Sequence, residues 1–355
     1  MRGNSTAESS GIYDAVYPVD AVIHGGCRTR RPLCVETLQF LFRQVPLLNA
    51  DVWRHLKAVL DMTKFTENAE RALKGGGSKM PILFVIGESN TGKSHALKRL
   101  FSTMEAFQPR VDANGRVRNR LLSMDCESDC SPKALAEAIL DNWNITVRGR
   151  PNAPTLWRMV KRQLRHQEIL YLHLDEMQHV TTGDTDLAIG KVQDAVKSLT
   201  QIDGWPLHLI VSGMPGVVNF LESKEVKNRA QAQYLDLMEV RASTVAAMEK
   251  VASMIVCDHA GLQCEWSKED EVPGRLIVAA GGEFATLILL VREACFRALD
   301  QGRDVVTLND LAAIYKARNA NLKGDNPFTT TDWKSVVRAN STSHIGSTSV
   351  RRRRK

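Results

Sequence analysis

Apolar residues recur along this chain in two rhythms. Short apolar runs at Ile82 to Ile86, Leu121 to Met124, Ile169 to Leu174 and Leu207 to Val211 have the length and composition of central strands. Longer stretches lie among them, with apolar positions three and four apart, at Lys93 to Met104, Pro132 to Trp143, Thr155 to His166 and Ile189 to Thr200. Their spacing predicts helices. Strand and helix in alternation predict an α/β unit, a parallel sheet with crossover helices on its faces.

The rhythm changes on both sides of this unit. Upstream, Val35 to Phe42 and Asp51 to Leu73 carry helical spacing, with Asn49 or Asp51 placed to cap the second run. Lys74-Gly75-Gly76-Gly77-Ser78-Lys79 then breaks the pattern as a flexible joint. After Val240 strand signals stop, and helices are predicted at Ser243 to Ala260, Ser267 to Ala280, Phe284 to Leu299 and Leu308 to Ala317. Thr307-Leu308-Asn309-Asp310 is a start signal for the last of these. The expected organisation is an irregular arm over 1–33, N-terminal helices over 34–75, an α/β core over 76–240, a small all-helical lid over 241–322 and a disordered basic tail over 323–355. No internal repeat is visible.

Composition narrows the class. At 355 residues, 43% of them apolar and 25% charged, the chain has the balance of a soluble globular protein with room for one large or two ordinary domains. No stretch approaches the roughly 20 apolar residues of a membrane span, and the first residues lack a secretory pattern, so a cytoplasmic protein without a membrane partner is expected. Seven cysteines at irregular spacings suggest reduced thiols. Cys126 and Cys130 could face each other, yet they form neither a disulfide framework nor a zinc module. The formal charge is +7, and Arg351-Arg352-Arg353-Arg354-Lys355 supplies five of the seven. The remainder is therefore nearly balanced, and the tail reads as a solvated extension or as loosely attracted to nucleic-acid phosphates.

Candidate chemistry concentrates after the first strand. Gly87-Glu88-Ser89-Asn90-Thr91-Gly92-Lys93-Ser94 fits G-x-x-x-x-G-K-S in full between a strand and a helix, the context this phosphate-binding loop requires. Gly87 and Gly92 permit backbone conformations that point successive N–H groups inward, and the following helix, opening with Lys93, Ser94 and His95, adds its positive end. Lys93 is expected to bridge the β- and γ-phosphates of ATP, and the Ser94 hydroxyl to ligate Mg²⁺. The second half of such a site is acidic. Asp175 ends an apolar strand as a magnesium ligand, and Glu176 follows where a carboxylate can activate water. Two acids in tandem imply hydrolysis as well as binding.

Two further residues are candidates. Ser212, at the end of the fourth strand, could sense the γ-phosphate, or Ser212-Gly213 could serve the turn alone. Arg229 could act as an arginine finger on a neighbouring subunit's nucleotide, or stand as an ordinary surface arginine.

Basic residues suggest a nucleic-acid partner. Arg158, Lys161, Arg162 and Arg165 fall at i, i+3, i+4 and i+7, on one face of a predicted helix. Arg110, Arg116, Arg118 and Arg120 surround Asn114-Gly115, a turn signal for a short hairpin. Either group could contact duplex DNA through its phosphates, in a sequence-tolerant and salt-sensitive way, or be ordinary solvated charge. No base-reading module or nuclease cluster is recognisable.

Taken together, the Walker A loop, the Asp-Glu strand end, Arg229 and a helical lid resemble the AAA+ ATPases. More narrowly, Asp175-Glu176-Met177-Gln178-His179, Gly213-Met214-Pro215 and Asn326-Pro327-Phe328 are similar to the D-E-x-Q-H turn, the G-x-P turn and the terminal N-P-F of the TniB/TnsC family of transposition regulators. The likeness covers roughly 67–328. It implies an AAA+ P-loop core with a helical lid, and an ATPase that forms homo-oligomeric rings or filaments on duplex DNA, recruits a transposase and works with a target-selection protein. Gln178 and His179 have no role derivable from the sequence. One departure is visible: Gly281-Gly282-Glu283-Phe284-Ala285-Thr286-Leu287 lacks the lid arginine that many AAA+ proteins place there, and Arg292 comes two turns later. The alternatives are a helicase loader or initiator-like AAA+ protein, and an ATP-switched signalling scaffold that does not bind DNA.

Overall fold

The computed structural model describes residues 82–126, 131–180, 186–199, 201–221, 230–319 and 325–336. The expected arm, N-terminal helices and glycine-rich joint lie outside the described residues, as do Arg229 and the terminal basic run.

The first strand, β1 (Ile82–Gly87), feeds the loop that opens α1 (Lys93–Thr103). A short antiparallel hairpin follows, β2 (Arg110–Val111) and β3 (Val117–Arg118), and the chain re-enters the sheet as β4 (Leu121–Asp125). Two helices come next, α2 (Pro132–Asp141) and α3 (Ala153–His166). Their starts are set by Ser131 and Asn152, whose side chains accept from the Ala134 and Thr155 N–H groups, each with proline in the first turn. Then come β5 (Tyr171–Asp175), α4 (Asp186–Leu199), β6 (His208–Gly213) and β7 (Ala230–Leu235).

Five of these strands form one parallel sheet in the order β4-β5-β6-β1-β7. Along β1 alternate residues serve opposite faces, as strand geometry demands. Leu83 and Val85 pack with Leu97, Leu100 and Phe101 of α1, whereas Ile82, Phe84 and Ile86 pack with the layer of α2, α3 and α4. The strand β7 was not evident in the sequence. Ala230-Gln231-Ala232-Gln233 alternates small and polar residues, which suits an edge position with one neighbour better than a buried centre.

The rest of the described chain builds a second core. It comprises α5 (Ala242–Ser253), a π-helical turn at Met254–His259, β8 (Gln263–Glu265), α6 (Val272–Ala279), α7 (Phe284–Asp300), β9 (Val305–Thr307) and α8 (Leu308–Arg318). Its capping signal forms as expected: the Thr307 and Asp310 side chains bond each other's backbone N–H. Two expectations are corrected. The unit is not all helix, because β8 and β9 pair in a short parallel ladder. Nor does structure end near Lys323. Phe328 and Trp333 are buried against this core, and the Asn326 side chain donates to the Ala312 carbonyl while accepting from the Phe328 N–H. Arg275 donates to the Pro327 and Thr330 carbonyls and lies 5.7 Å from the centre of the Trp333 ring. Asn-Pro-Phe is thus a packing element.

Candidate nucleotide site

The loop between β1 and α1 is shaped by two different glycine requirements. Gly92 has φ +92°, a left-handed conformation that side chains resist, and Asn90 also adopts a positive φ of 60°. Gly87 is different from the expectation, since its φ is ordinary and its constraint is space. A β-carbon there would lie 2.6 Å from the Leu235 carbonyl oxygen of β7. The loop closes on the Glu88 carbonyl, which accepts from Lys93 Nζ at 2.8 Å and from Thr91 Oγ1 at 2.9 Å.

Lys93 is only 6% exposed. Burial lowers its pKa, and the carboxylates of Glu176, Asp175 and Glu88 work in the opposite direction. Around it, Ser89, Asn90, Gly92, Ser94, His95, Glu176, Met214 and Ala285 line a cleft of about 250 Å³.

The acids arrive from the end of β5. Asp175 is 3% exposed, and its Oδ1 accepts from Ser212 Oγ at 2.5 Å and from the Glu176 N–H at 2.9 Å. Burial would raise its pKa, but hydrogen bonds from Ser212 and Ser94, the neighbouring His173 and the Glu176 N–H together hold it below the usual carboxylate value. Ser94 and Asp175 are therefore in direct contact across the sheet. Both are hard oxygen donors, and among the described residues no group of three or more His, Cys, Asp or Glu is placed to hold a metal alone. That donor set fits Mg²⁺, which prefers one or two protein oxygens completed by water and phosphate.

Ser212 differs from its expected role. It is fully buried and sits beneath the acid, where it positions Asp175. Its oxygen also lies 2.7 Å from His173 Nε2, and His173 Nδ1 lies 2.8 Å from Ser123 Oγ. Burial lowers the His173 pKa to about 4, so the ring is neutral at pH 7. Because the single proton of Ser212 is given to Asp175, the histidine must donate from Nε2 and accept at Nδ1. A directed chain therefore crosses three adjacent strands: Ser123, His173, Ser212, Asp175. The polar position in Tyr171-Leu172-His173-Leu174 was the available sequence signal for it.

Glu176 is half-buried with φ 55°, so the chain turns sharply at the residue expected to activate water. The Gln178 amide, 7% exposed, donates from Nε2 to Glu176 Oε2 and accepts at Oε1 from the Met214 N–H at 3.0 Å.

The second core reaches the loop from above. The Ala285 N–H donates to the Asn90 carbonyl at 3.0 Å, and Asn90 Nδ2 donates to Glu283 Oε2 at 3.3 Å. At the place where a lid arginine is absent, this chain therefore presents an acid and the N-terminal turn of α7 to the phosphate loop.

The basic candidates divide. Arg116 is exposed on the predicted hairpin, while Arg118 pairs with Asp112 at 3.1 Å. Arg120 is a correction. It is 4% exposed and its carbonyl accepts from Leu170 and Tyr171, so it belongs to the core edge and cannot present a surface to phosphates. On α3, Arg158, Arg162 and Arg165 are exposed and Lys161 is half-buried, opposite the buried Leu156, Trp157, Val160 and Leu164. Arg165 also donates to the Asp203 carbonyl at 3.3 Å. The hairpin and the end of α3 both lie where the parallel strands begin, opposite the phosphate loop.

Residues 78–221 match the family described as AAA domain. Among solved structures, the chain is similar to the Aeropyrum pernix ORC1 protein in complex with DNA, at 15% identity and a TM-score of 0.54 over 78% of this chain and 69% of that one. It is also similar to the Aeropyrum pernix ORC2 protein in ADPNP–ADP complexes, at 14% identity and 0.53 over 78% and 71%. No curated protein sequence matches. The architecture is that of an AAA+ P-loop NTPase core followed by a largely helical unit. Among the described residues, no helix is long and apolar enough to cross a membrane.

Proposed function

We propose that this protein is an ATP-hydrolysing AAA+ ATPase that assembles as a homo-oligomer on duplex DNA and links target-site selection to a transposase. The observation that carries the ATPase part is that Lys93, Ser94 and Glu176 line one cleft at the positive end of α1, with the buried Asp175 accepting from Ser94 behind it. In this reading Lys93 and the loop N–H groups hold the phosphates, Ser94 and Asp175 hold Mg²⁺, and Glu176 accepts a proton from the attacking water. The metal, when bound, neutralises charge on the phosphate oxygens. Arg229 is proposed to complete the site on a neighbouring subunit.

The DNA part rests on the exposed arginines where the strands begin. Strands of five or six residues separate that end from the phosphate loop by roughly 17–20 Å, so duplex and nucleotide would occupy opposite ends of the sheet. The basic candidates Arg116, Arg158, Lys161, Arg162 and Arg165 would meet phosphates without reading bases. Transposition rests on the D-E-M-Q-H and G-M-P turns and on Asn326-Pro327-Phe328, and the partners it names are a transposase and a target-selection protein. Likeness to an ORC1 protein captured with DNA favours a second reading, an initiator-like or helicase-loading ATPase with the same nucleotide chemistry.

Electron microscopy of the full chain with duplex DNA and a non-hydrolysable ATP analogue tests the proposal. Rings or filaments are expected, and they should be absent for Lys93→Ala. Lone monomers in the wild type would sink the assembly reading. Stimulation of an integrase-type transposase rather than a replicative helicase separates the two DNA-linked readings.

A further inference from the structure

Gln178 is one of the residues of the Asp-Glu-Met-Gln-His turn that the proposed chemistry leaves without a task, and its surroundings are specific. The Met214 N–H donates to its Oε1, which fixes the orientation of the amide and turns Nε2 toward Glu176. The positive φ of Glu176, followed by the tight helical turn Met177–Val180, brings the amide back over the carboxylate two residues earlier. Space is reserved for it as well. A β-carbon on Gly213 would lie 2.5 Å from Gln178 Oε1 and 2.6 Å from Val217 Cγ2, so only glycine leaves the amide its seat.

From this arrangement we infer that Gln178 is a positioning residue for Glu176, fastening its carboxylate to the backbone at the end of β6. The inference rests on the reading of Glu176 as the group that activates water. The end of β6 then grips both acids of the site, Asp175 through the Ser212 hydroxyl and Glu176 through the Gln178 amide. A half-buried carboxylate on a sharply turned backbone has other rotamers open to it, and a bond to a fixed amide selects one. Loss of such selection acts on the chemical step, where misplacement by about 1 Å can cost on the order of a hundredfold, and leaves ground-state nucleotide contacts unchanged.

The test uses the full chain with duplex DNA and Mg-ATP. Gln178→Met keeps the volume of the buried side chain and removes both hydrogen bonds. Its kcat is expected to fall about ten- to a hundredfold, with the Kd for ATP within about twofold of wild type. Gly213→Ala, which displaces the amide without altering Glu176 or Gln178, should reproduce the effect. In a Glu176→Gln background, Gln178→Met should change nothing further, because it acts only through Glu176. Three results would overturn the inference: an unchanged kcat, an undiminished effect of Gln178→Met in the Glu176→Gln background, or a loss of ATP affinity parallel to the loss of rate. Full turnover by Glu176→Gln itself would remove the underlying reading of Glu176, and the inference with it.

Discussion

Lys93→Met should separate two quantities that usually fall together, nucleotide affinity and the stability of the empty protein. The Lys93 ammonium is 6% exposed, and burial lowers its pKa despite three acids that favour the charge. A lysine with a lowered folded pKa binds its proton less tightly than in the unfolded chain. Below that pKa the buried charge therefore costs stability, and the cost disappears only as pH rises toward the ordinary value of 10.5. Methionine has nearly the same volume and no charge, and the Glu88 carbonyl retains its bond from Thr91 Oγ1 at 2.9 Å. At pH 7 the empty variant should be as stable as wild type or more so.

Binding should respond in the opposite sense. Two charge-assisted hydrogen bonds to phosphate oxygens contribute on the order of 3–5 kcal/mol, a loss of roughly two to nearly four decades in affinity. Thermal unfolding with and without Mg-ATP measures both effects. At a hundredfold excess over its Kd, ATP stabilises the wild type by about 2.7 kcal/mol, or roughly 5–11 °C. The same concentration should stabilise Lys93→Met by under about 0.4 kcal/mol, near 1 °C. A wild-type shift in the variant would refute the assignment of Lys93 to the phosphates. An empty variant weakened by more than about 1 kcal/mol would show instead that the lysine is structural.

Three further outcomes are expected. Arg116→Ala should weaken duplex binding evenly across sequences and reduce the salt slope by about one, whereas Arg120→Ala should lower the unfolding midpoint first, because Arg120 is buried; equal effects of both on DNA retention would contradict this division. In the second core, burial works to raise the Asp310 pKa, but bonds from Arg303 and Thr307 hold it below 3.8, so its contribution is present above that value and lost as pH falls through the lowered one. Asp310→Ala should cost about 2–3 kcal/mol, the low end for a broken buried pair because Arg303 and Arg297 are 34% and 42% exposed; a denaturation midpoint unmoved at pH 7 would argue against it. Gly274→Ala would place a β-carbon 2.5 Å from the Trp333 ring, and hydrogen exchange should show 325–336 losing protection while the sheet keeps its own.

Much of the α/β core could be read directly from the chain. Strands β1, β5 and β6 are buried throughout, so the runs at Ile82, Ile169 and Leu207 carry a mainly apolar signal, and the phosphate loop is contiguous, whereas β4 at Leu121, expected as a central strand, is a partly exposed edge strand. Local chemistry was equally legible at Thr307 and Asp310, where a cap is formed by residues three apart. The signal failed where burial is partial or the partner is distant. The edge strand β7 is polar on alternate positions, and β8 and β9 are three residues each. The segment around Asn326-Pro327-Phe328 is held by Ala312 and Arg275, side chains and carbonyls far away in sequence.

The site divides along the same line. The candidate groups, Gly87 to Ser94 and the Asp175-Glu176 pair, are legible from residue identity and spacing alone, because the motif they match is short and continuous. What those residues do to one another was decided by folding. The parallel sheet sets β6 between β1 and β5, and this adjacency turns Ser212 from a candidate phosphate sensor into a support for Asp175. It also makes Gln178 a link between Glu176 and Met214, and reserves Gly213 for the space that link occupies. Hydrogen bonds depend on positions within a few tenths of an ångström, and only the packed strands bring groups 36 or 37 residues apart to that distance.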